Sequence, residues 1–214
     1  QTLDGIKELV ASTDDKQIAG ISVAGQMHGL VTLDKDDNII RKAILWNDGR
    51  SQQHSDWLNT EIGTHKLTEL TGNISYAGFT APKILLMRDN EPENYAKIAK
   101  IMLPKDYITY MLTGVFASEP SDASGTLFYD VKNKCWSAEM CEILGITVDQ
   151  LPKLYESYEK VGEVKPEILK ELGINGTTIV AAGAGDNAGA AVGMGITGEG
   201  NCNISLGTSG TVFI

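Results

Sequence analysis

The stretch TTIVAAGAGDNAGAAVGMGI, residues 177–196, constrains the fold of this chain more than any other. It begins as an apolar run suited to a buried strand, passes through a glycine-rich turn and continues as a segment of small residues. One carboxylate, Asp186, stands where the turn ends. Asp commonly serves as an N-cap, accepting bonds from first-turn amides. The surrounding glycines also allow a ligand to approach closely, so Asp186 is equally a candidate for a ligand-facing site.

The same glycines match a dinucleotide-binding pattern, G-x-G-x-x-A, through Gly183, Gly185 and Ala188. That assignment would place Asp186 inside the loop that receives a negatively charged pyrophosphate. No acidic residue lies about 20 positions further on, where a ribose hydroxyl requires one. We therefore favour a different use of this turn.

Predicted strands and helices alternate along the rest of the chain, which indicates an α/β fold with a mixed sheet. The chain opens with Ile6, Leu9 and Val10 spaced like one helical face. It closes in GTSGTVFI, an apolar strand-like run. We expect both ends to be cuts through a fold, so that the chain is truncated at both ends.

The length and net charge of the chain limit the number of domains and the classes of binding partner. The 214 residues suit one domain, or one domain and part of another. The net charge of −10 argues against a broad electrostatic grip on nucleic acid or an anionic membrane. It does not exclude a phosphorylated ligand, which backbone amides and a metal ion can bind.

Three cysteines, Cys135, Cys141 and Cys202, form neither a disulfide framework nor a zinc pattern. Reduced thiols in a cytoplasmic protein are the better interpretation, and no signal peptide or long uncharged apolar segment is present.

Three further segments carry polar or aromatic residues at predicted strand ends. GTSG, residues 207–210, predicts a tight turn whose donors suit a phosphate nest, although a simple hairpin has the same pattern. GQMHGL places Met27 and His28 between glycines, facing a cleft or serving a structural turn. Trp46, in ILWNDGRS, closes a strand as an apolar wall for a sugar or as a core residue.

Together these segments resemble the FGGY carbohydrate kinases. The matching sequences run in family order along essentially the whole chain: AGQMHG, AILWNDGRS, GFTAPK, LPKDY, GDNAGAAVG and SLGTSG. QMHG and WNDGR favour the xylulose branch over glycerol or gluconate kinases. The resemblance implies an actin-like (ribonuclease H-like) ATPase fold that binds sugar on one domain and ATP on the next.

The resemblance also implies roles for individual residues. Asp186 would be the catalytic base and a magnesium ligand, directly or through water. The sugar contacts would be Met27, His28, Trp46 and Asn187. The ATP phosphates would rest on Gly207, Thr208 and Ser209. An acid near phosphates makes chemical sense in this arrangement because it can bind magnesium or accept the proton of the attacking hydroxyl.

The implied organisation is a sugar-binding domain at residues 1–196, lacking its first strands, followed by the first hairpin of a nucleotide-binding domain at residues 197–214. The implied reaction is ATP- and Mg²⁺-dependent phosphorylation of a ketose such as D-xylulose, with a homodimer left open and with neither nucleic acid nor membrane as a partner. The alternatives are another kinase of the family, acting on ribulose or gluconate, and a non-catalytic actin-like sugar-binding module.

Two departures from the family pattern matter. No Asp-x-Gly-Thr phosphate loop precedes Gln1, and the second family signature and the adenine pocket would lie beyond Ile214, so we expect these residues alone not to phosphorylate. A smaller departure is Leu86, which stands where the first family signature often has tryptophan and affects the resemblance little.

Overall fold

A computed structural model of the chain describes residues 1–14, 16–206 and 210–213. Its α-helices are α1 (Thr2–Ala11), α2 (Gln52–Trp57), α3 (Thr64–Thr71), α4 (Thr80–Asn90), α5 (Pro92–Tyr95), α6 (Pro104–Thr113), α7 (Pro120–Ala123), α8 (Ala138–Leu144), α9 (Pro166–Leu172) and α10 (Asp186–Gly193). A π-helical segment, Leu58–Gly63, joins α2 to α3, and short 3₁₀ turns span Ser124–Thr126 and Val148–Gln150.

The strands are short. They are β1 (Gly20–Ile21), β2 (Ala24–Gly25), β3 (Val31–Leu33), β4 (Lys100–Met102), β5 (Ala117–Ser118), β6 (Tyr129–Asp130), β7 (Cys135–Trp136), β8 (Lys153–Leu154), β9 (Lys160–Glu163), β10 (Ile179–Ala181), β11 (Ala184–Gly185), β12 (Asn203–Leu206) and β13 (Gly210–Phe213). Parallel and antiparallel pairs both occur, which confirms the predicted mixed α/β class.

Two segments distant in sequence run side by side through the middle of the fold. Strand β1 pairs in parallel with β10, and β2 pairs in parallel with β11. Strand β9 pairs antiparallel with the other edge of β10. Parallel strands end at the same edge of a sheet, so residues that follow β2 and β11 emerge together. This pairing positions the candidate site.

Proline begins helix α6, and glycines end several helices. Pro104 occupies the first turn of α6, where its missing N–H costs nothing, and Gly114 ends the helix with a φ of +77°. Gly145 and Gly173 end α8 and α9 in the same left-handed conformation. Only glycine adopts this backbone without strain, which explains its place at each of these ends.

Two of the four apolar clusters among the described residues bear on the site. The larger surrounds α4, whose residues 80–87 are all buried, and includes Leu58, Leu67, Met140 and Leu144. The smaller lies against the central strands and includes Leu112, Val161 and Val180. Since α4 is buried on every side over residues 80–87, it is a core helix and not an amphipathic surface helix.

Two local expectations needed correction. Only isolated pairings, Leu33 with Ile39 and Leu30 with Ile44, replace a continuous strand before Trp46. Leu9 is 70% exposed, although Val10 beside it is buried.

The remaining strands at the carboxyl end form a hairpin. Asn203 lies opposite Phe213, and Leu206 lies opposite Gly210. The turn that joins β12 to β13 falls on residues 207–209, which are outside the described part of the chain. Across the residues that are described, no helix combines the length and apolar character needed to cross a bilayer.

Candidate functional site

The ends of β2 and β11 meet in register at two glycines. Gly25 lies opposite Gly185, so the chain segments that carry Met27 and Asp186 leave the sheet side by side. A Cβ on Gly185 would lie 3.0 Å from Met27 Cγ and 3.2 Å from its sulfur. The Met27 side chain therefore packs directly over the residue that precedes Asp186. The structure thus brings the segments of Met27 and Asp186, both predicted for the site from the sequence, next to each other.

His28 is held on both sides of its ring. Its Nδ1 lies 2.8 Å from the carbonyl oxygen of Gly125, and the ring stacks on Phe79 with centroids 4.7 Å apart and planes 23° apart. Burial lowers the pKa of His28, as does the nearby charge of Lys83, and these effects outweigh the Gly125 bond and the Asp186 charge, which raise it.

Burial and the nearby Lys83 charge, which lower the pKa of His28, favour the neutral imidazole. A carbonyl oxygen can only accept, so Nδ1 carries the proton and donates to Gly125. Nε2 is then the acceptor nitrogen of His28, available for a hydroxyl group. The contacts with Gly125 and Phe79 thus fix the orientation of the ring and leave Nε2 as a hydrogen-bond acceptor, neither of which the sequence alone determines.

Gly125 is required at its position by the ring that it faces. A Cβ there would lie 2.5 Å from both Nδ1 and Cε1 of His28 and 3.3 Å from Met27 Cε. Real Cβ atoms do not come this close to other atoms, so any larger residue would displace the imidazole. The 3₁₀ turn that contains Gly125 is therefore part of the site, although no sequence motif marks it.

Lys83 holds the backbone of His28 in place through hydrogen bonds. Its side chain is fully buried, and its ammonium donates to the carbonyl oxygens of His28 at 2.7 Å and Gly78 at 2.6 Å. The Thr80 hydroxyl donates to the same His28 oxygen at 3.2 Å. Burial lowers the pKa of Lys83 to about 8, against the opposing effect of the Asp48 carboxylate. These donors secure a residue whose φ is +68°, an uncommon conformation for histidine.

Trp46 lies next to the chain segment that carries Phe79. Its carbonyl oxygen would stand 2.8 Å from a Cβ added to Gly78, the residue before Phe79. The tryptophan is 46% exposed, so the alternative that it is a core residue does not describe it. The Trp46 backbone therefore lies beside Gly78. The next residue, Phe79, carries the ring that stacks on His28.

Asp186 is the first residue of α10, and Gly185 occupies the N-cap position. The alternative that Asp186 is the N-cap residue is therefore wrong by one position, since Asp186 is the residue after the N-cap. Its carboxylate accepts the Asn187 amide at 2.8 Å and is exposed. Asn187, also predicted to contact the sugar, is half-buried beside it.

A fully buried group of charged side chains lies behind these strand ends. The Lys105 ammonium is 2.8 Å from Asp106 Oδ1, 3.6 Å from Glu119 Oε1 and 4.0 Å from Asp122 Oδ2. It also donates to the Ala182 carbonyl at 3.3 Å. All four charged residues are at most 1% exposed. We call these four residues the Lys105 cluster.

One lysine cannot neutralise three carboxylates, and the pKa values reflect this. Burial alone would lower the pKa of Lys105, but the charges of Asp106, Asp122 and Glu119 raise it. Burial raises the pKa of Asp122 to about 8, with Asp106, Glu119 and Asp186 adding to the effect against Lys105. Burial also raises the pKa of Asp106. Asp122 and Asp106 therefore retain protons to higher pH than exposed carboxyl groups do, which limits the buried negative charge.

The predicted ATP-phosphate residues, Gly207, Thr208 and Ser209, lie outside the described residues. Within the described ranges no group of three or more His, Cys, Asp or Glu side chains could hold a metal ion. Magnesium usually binds proteins through one or two carboxylates and takes its remaining ligands from water and substrate phosphates. The single exposed carboxylate of Asp186 fits that kind of site.

Several residues near the site were missed by sequence reasoning. Lys83 and Lys105 stand in the quoted segments GFTAPK and LPKDY without any assigned role. Their signal was a lysine among apolar residues, since fully buried lysines are rare unless their charge is satisfied. Gly125 and Phe79 offered no comparable signal.

Comparison with known proteins gives a consistent result. The model of the N-terminal domain of the FGGY family of carbohydrate kinases matches residues 1–193. The xylulose kinase of Staphylococcus xylosus is 42% identical over 212 residues, which are 99% of this chain and 44% of that protein. The xylulose kinase of Escherichia coli (strain K12) is 43% identical over 198 residues, 92% of this chain and 40% of that protein.

Solved structures share the fold. A xyloylose kinase from Brucella ovis superposes with a TM-score of 0.88 at 42% identity, covering 92% of this chain and 40% of that one. A ligand-bound xylulose kinase from Lactobacillus acidophilus superposes with a TM-score of 0.93 at 27% identity, covering 99% and 43%. The chain spans less than half the length of these relatives.

Proposed function

Because this chain belongs to the FGGY family of carbohydrate kinases, with their actin-like fold, we propose that it carries the sugar-binding part of an ATP-dependent ketose kinase. The substrate we propose is D-xylulose and the product D-xylulose 5-phosphate, since the relatives at 38–45% identity are named xylulose kinases. The observation that carries the proposal is the register of Gly25 with Gly185, which sets Met27 and His28 beside Asp186.

In the proposed reaction Asp186 orients the terminal hydroxyl of the sugar and accepts its proton. The hydroxyl oxygen forms the new bond to phosphorus as the bond between the γ-phosphoryl group and ADP breaks. Phosphoryl transfer passes through a loose transition state, so it needs positioning and charge stabilisation more than a strong base. An exposed carboxylate at a helix start is adequate for this role.

The sugar would be recognised by groups of different chemistry. Nε2 of His28 accepts a hydrogen bond from a sugar hydroxyl, because Nδ1 already donates to Gly125. Met27 and the half-exposed Trp46 supply apolar surface for the carbon face, and the Asn187 amide supplies both a donor and an acceptor.

The nucleotide would bind toward the carboxyl end of the chain. We propose that residues 1–196 form the sugar-binding domain and that residues 197–214 form the first hairpin of the nucleotide domain. Gly207, Thr208 and Ser209 would contact the ATP phosphates. Magnesium, held by Asp186 directly or through water, would neutralise phosphate charge. The need for ATP and the three free thiols favour a cytoplasmic location.

The nearest alternative within the family is a kinase for another polyol or sugar acid. A gluconate kinase from Lactobacillus acidophilus superposes with a TM-score of 0.93 at 27% identity, so the fold does not separate the two substrates. A non-catalytic sugar-binding module is the other alternative. It would need the apolar wall and the glycines, but not the carboxylate of Asp186.

The test is ATP-dependent phosphorylation by the complete polypeptide that carries this chain, with xylulose, ribulose, gluconate and glycerol as substrates. We expect the highest kcat/KM with xylulose and its loss on Asp186→Asn. A preference for gluconate would assign the other family activity. Sugar binding without phosphoryl transfer to any of the four would support the non-catalytic module.

A further inference from the structure

The backbone that carries Asp186 is tied to a residue far away in the sequence. The Gly185 amide donates to the hydroxyl oxygen of Ser121 at 3.0 Å. Gly185 immediately precedes Asp186 and is the N-cap residue of α10. A shift of this amide would move the first turn of α10 and its carboxylate together.

The direction of the Ser121 hydroxyl is set by Glu119. Ser121 Oγ donates its single proton to Glu119 Oε1 at 2.9 Å, which leaves its lone pairs to accept from Gly185. Glu119 also accepts the Ser121 and Asp122 amides at 2.8 and 3.0 Å and the Ser157 hydroxyl at 2.8 Å. A fully buried carboxylate with four such bonds has no freedom to rotate.

The Lys105 cluster supports the same strand ends. The Lys105 ammonium faces Glu119 at 3.6 Å and donates to the Ala182 carbonyl. A Cβ on Gly25 would lie 3.0 Å from Lys105 Cβ, and a Cβ on Gly183 would lie 3.4 Å from its Cδ. Both chain segments that end at the site therefore rest on this lysine.

We propose that Ser121, oriented by Glu119, is a positioning residue for Asp186. The inference rests on the proposed function and deepens it. The Ser121 hydroxyl fixes the Gly185 amide, and the amide fixes where the carboxylate of Asp186 stands relative to the sugar hydroxyl. Catalysis by positioning is sensitive to small displacements of this kind.

The experiment compares three variants in the complete polypeptide. Ser121→Ala removes the acceptor of the Gly185 amide, and Ser121→Thr keeps a hydroxyl. Thr113→Val is the matched control, because the Thr113 hydroxyl accepts the Val115 amide at 3.0 Å in a turn away from the site. The measurements are kcat and KM for xylulose, the melting temperature, and hydrogen exchange of the Gly185 amide.

We expect Ser121→Ala to lower kcat by roughly 2- to 10-fold, the change that corresponds to losing one hydrogen bond, with a smaller change in KM. Exchange of the Gly185 amide should become faster. Ser121→Thr should retain most of the turnover. Thr113→Val should lose a similar amount of thermal stability and keep its kcat.

A double-mutant cycle separates positioning from general destabilisation. In an Asp186→Asn background, Ser121→Ala should lower the melting temperature as before and leave the residual turnover unchanged. An equal loss of kcat in both backgrounds, or an unchanged kcat in Ser121→Ala despite faster Gly185 exchange, would overturn the inference and leave the proposed function standing. A parent polypeptide that phosphorylates none of the four substrates would instead remove the proposed function.

Discussion

The ammonium nitrogen of Lys83 lies 2.7 Å from the carbonyl oxygen of His28 and ties helix α4 to the turn that follows β2. The same ammonium reaches the Gly78 carbonyl at 2.6 Å, beside the backbone of Trp46. This buried lysine thus links α4 to the main chain at His28 and at Gly78. Both acceptors are backbone carbonyls, so the lysine holds the main chain of the candidate sugar site in position.

The burial of Lys83 predicts a dependence of stability on pH. Its folded pKa of about 8 lies below its ordinary value of 10.5, so between these values the unfolded chain binds more protons and stability rises with pH. Lys83→Met removes this contribution. We expect the wild type to gain free energy of unfolding relative to Lys83→Met above pH 8, by at most about 1.4 kcal/mol per pH unit.

Urea unfolding at pH 7, 8, 9 and 10 measures this difference. The exposed Lys97 supplies the control, since Lys97→Met should track the wild type across the series. A constant difference between wild type and Lys83→Met over all four pH values would contradict the prediction.

The left-handed backbone of His28 predicts that glycine and alanine behave differently there. Both His28→Gly and His28→Ala lose the Phe79 stacking and the Gly125 bond, but only Ala is strained at a φ of +68°. We expect His28→Gly to be more stable than His28→Ala by about 1 kcal/mol. Thermal unfolding of the two variants gives this difference directly.

The same pair tests the sugar contact. In both variants xylulose affinity should fall by roughly 0.5–1.5 kcal/mol, the usual cost of one lost hydrogen bond. Calorimetric titration with xylulose measures it. Wild-type affinity in a folded variant would assign His28 a purely structural role.

The buried carboxyl of Asp122 predicts the opposite dependence on pH from Lys83. Its folded pKa of about 8 lies above its ordinary value of 3.8, so between them the native state binds more protons and stability falls as pH rises. Asp122→Asn has no titrating group here. Its stability relative to wild type should increase from pH 5 to pH 8, by at most about 1.4 kcal/mol per pH unit.

The contrast variant is Asp14→Asn, a change in the terminal region distant in sequence from the cluster. Its stability relative to wild type should vary much less over pH 5 to 8. If Asp122→Asn became relatively less stable toward pH 8, the carboxyl would be ionised in the native state and the prediction would be wrong.

Asp186→Asn separates the local structural role of Asp186 from catalysis. The Asp186 carboxylate accepts the Asn187 amide at the helix start, and an Asn side-chain oxygen can accept the same bond, so thermal stability should hardly change. Turnover of the complete polypeptide should fall by roughly 10²–10⁴-fold, the usual loss for a positioned acid or base. Xylulose affinity should fall far less, because Asn still bonds to a hydroxyl. Near-normal turnover in a folded variant would limit Asp186 to a local role at the helix start.

Local chemistry determined much of this protein from the sequence alone. The turns at Gly114, Gly145 and Gly173 and the proline at the start of α6 depend on backbone conformation within a few residues, so their positions were readable. The carboxylate after a glycine turn marked Asp186 for the same reason. The alternation of strands and helices determined the α/β class.

The tertiary structure decided which distant residues meet. The register of Gly25 with Gly185 depends on pairing between segments 160 residues apart, and no local pattern encodes it. The proton on His28 Nδ1 depends on a carbonyl 97 residues away.

The Lys105 cluster likewise exists only because burial forces charged groups from several elements to satisfy one another. The sequence determines which ionisable groups are present. Long-range packing determines which of them are buried away from water, and this burial shifts their pKa values and orients their hydrogen bonds.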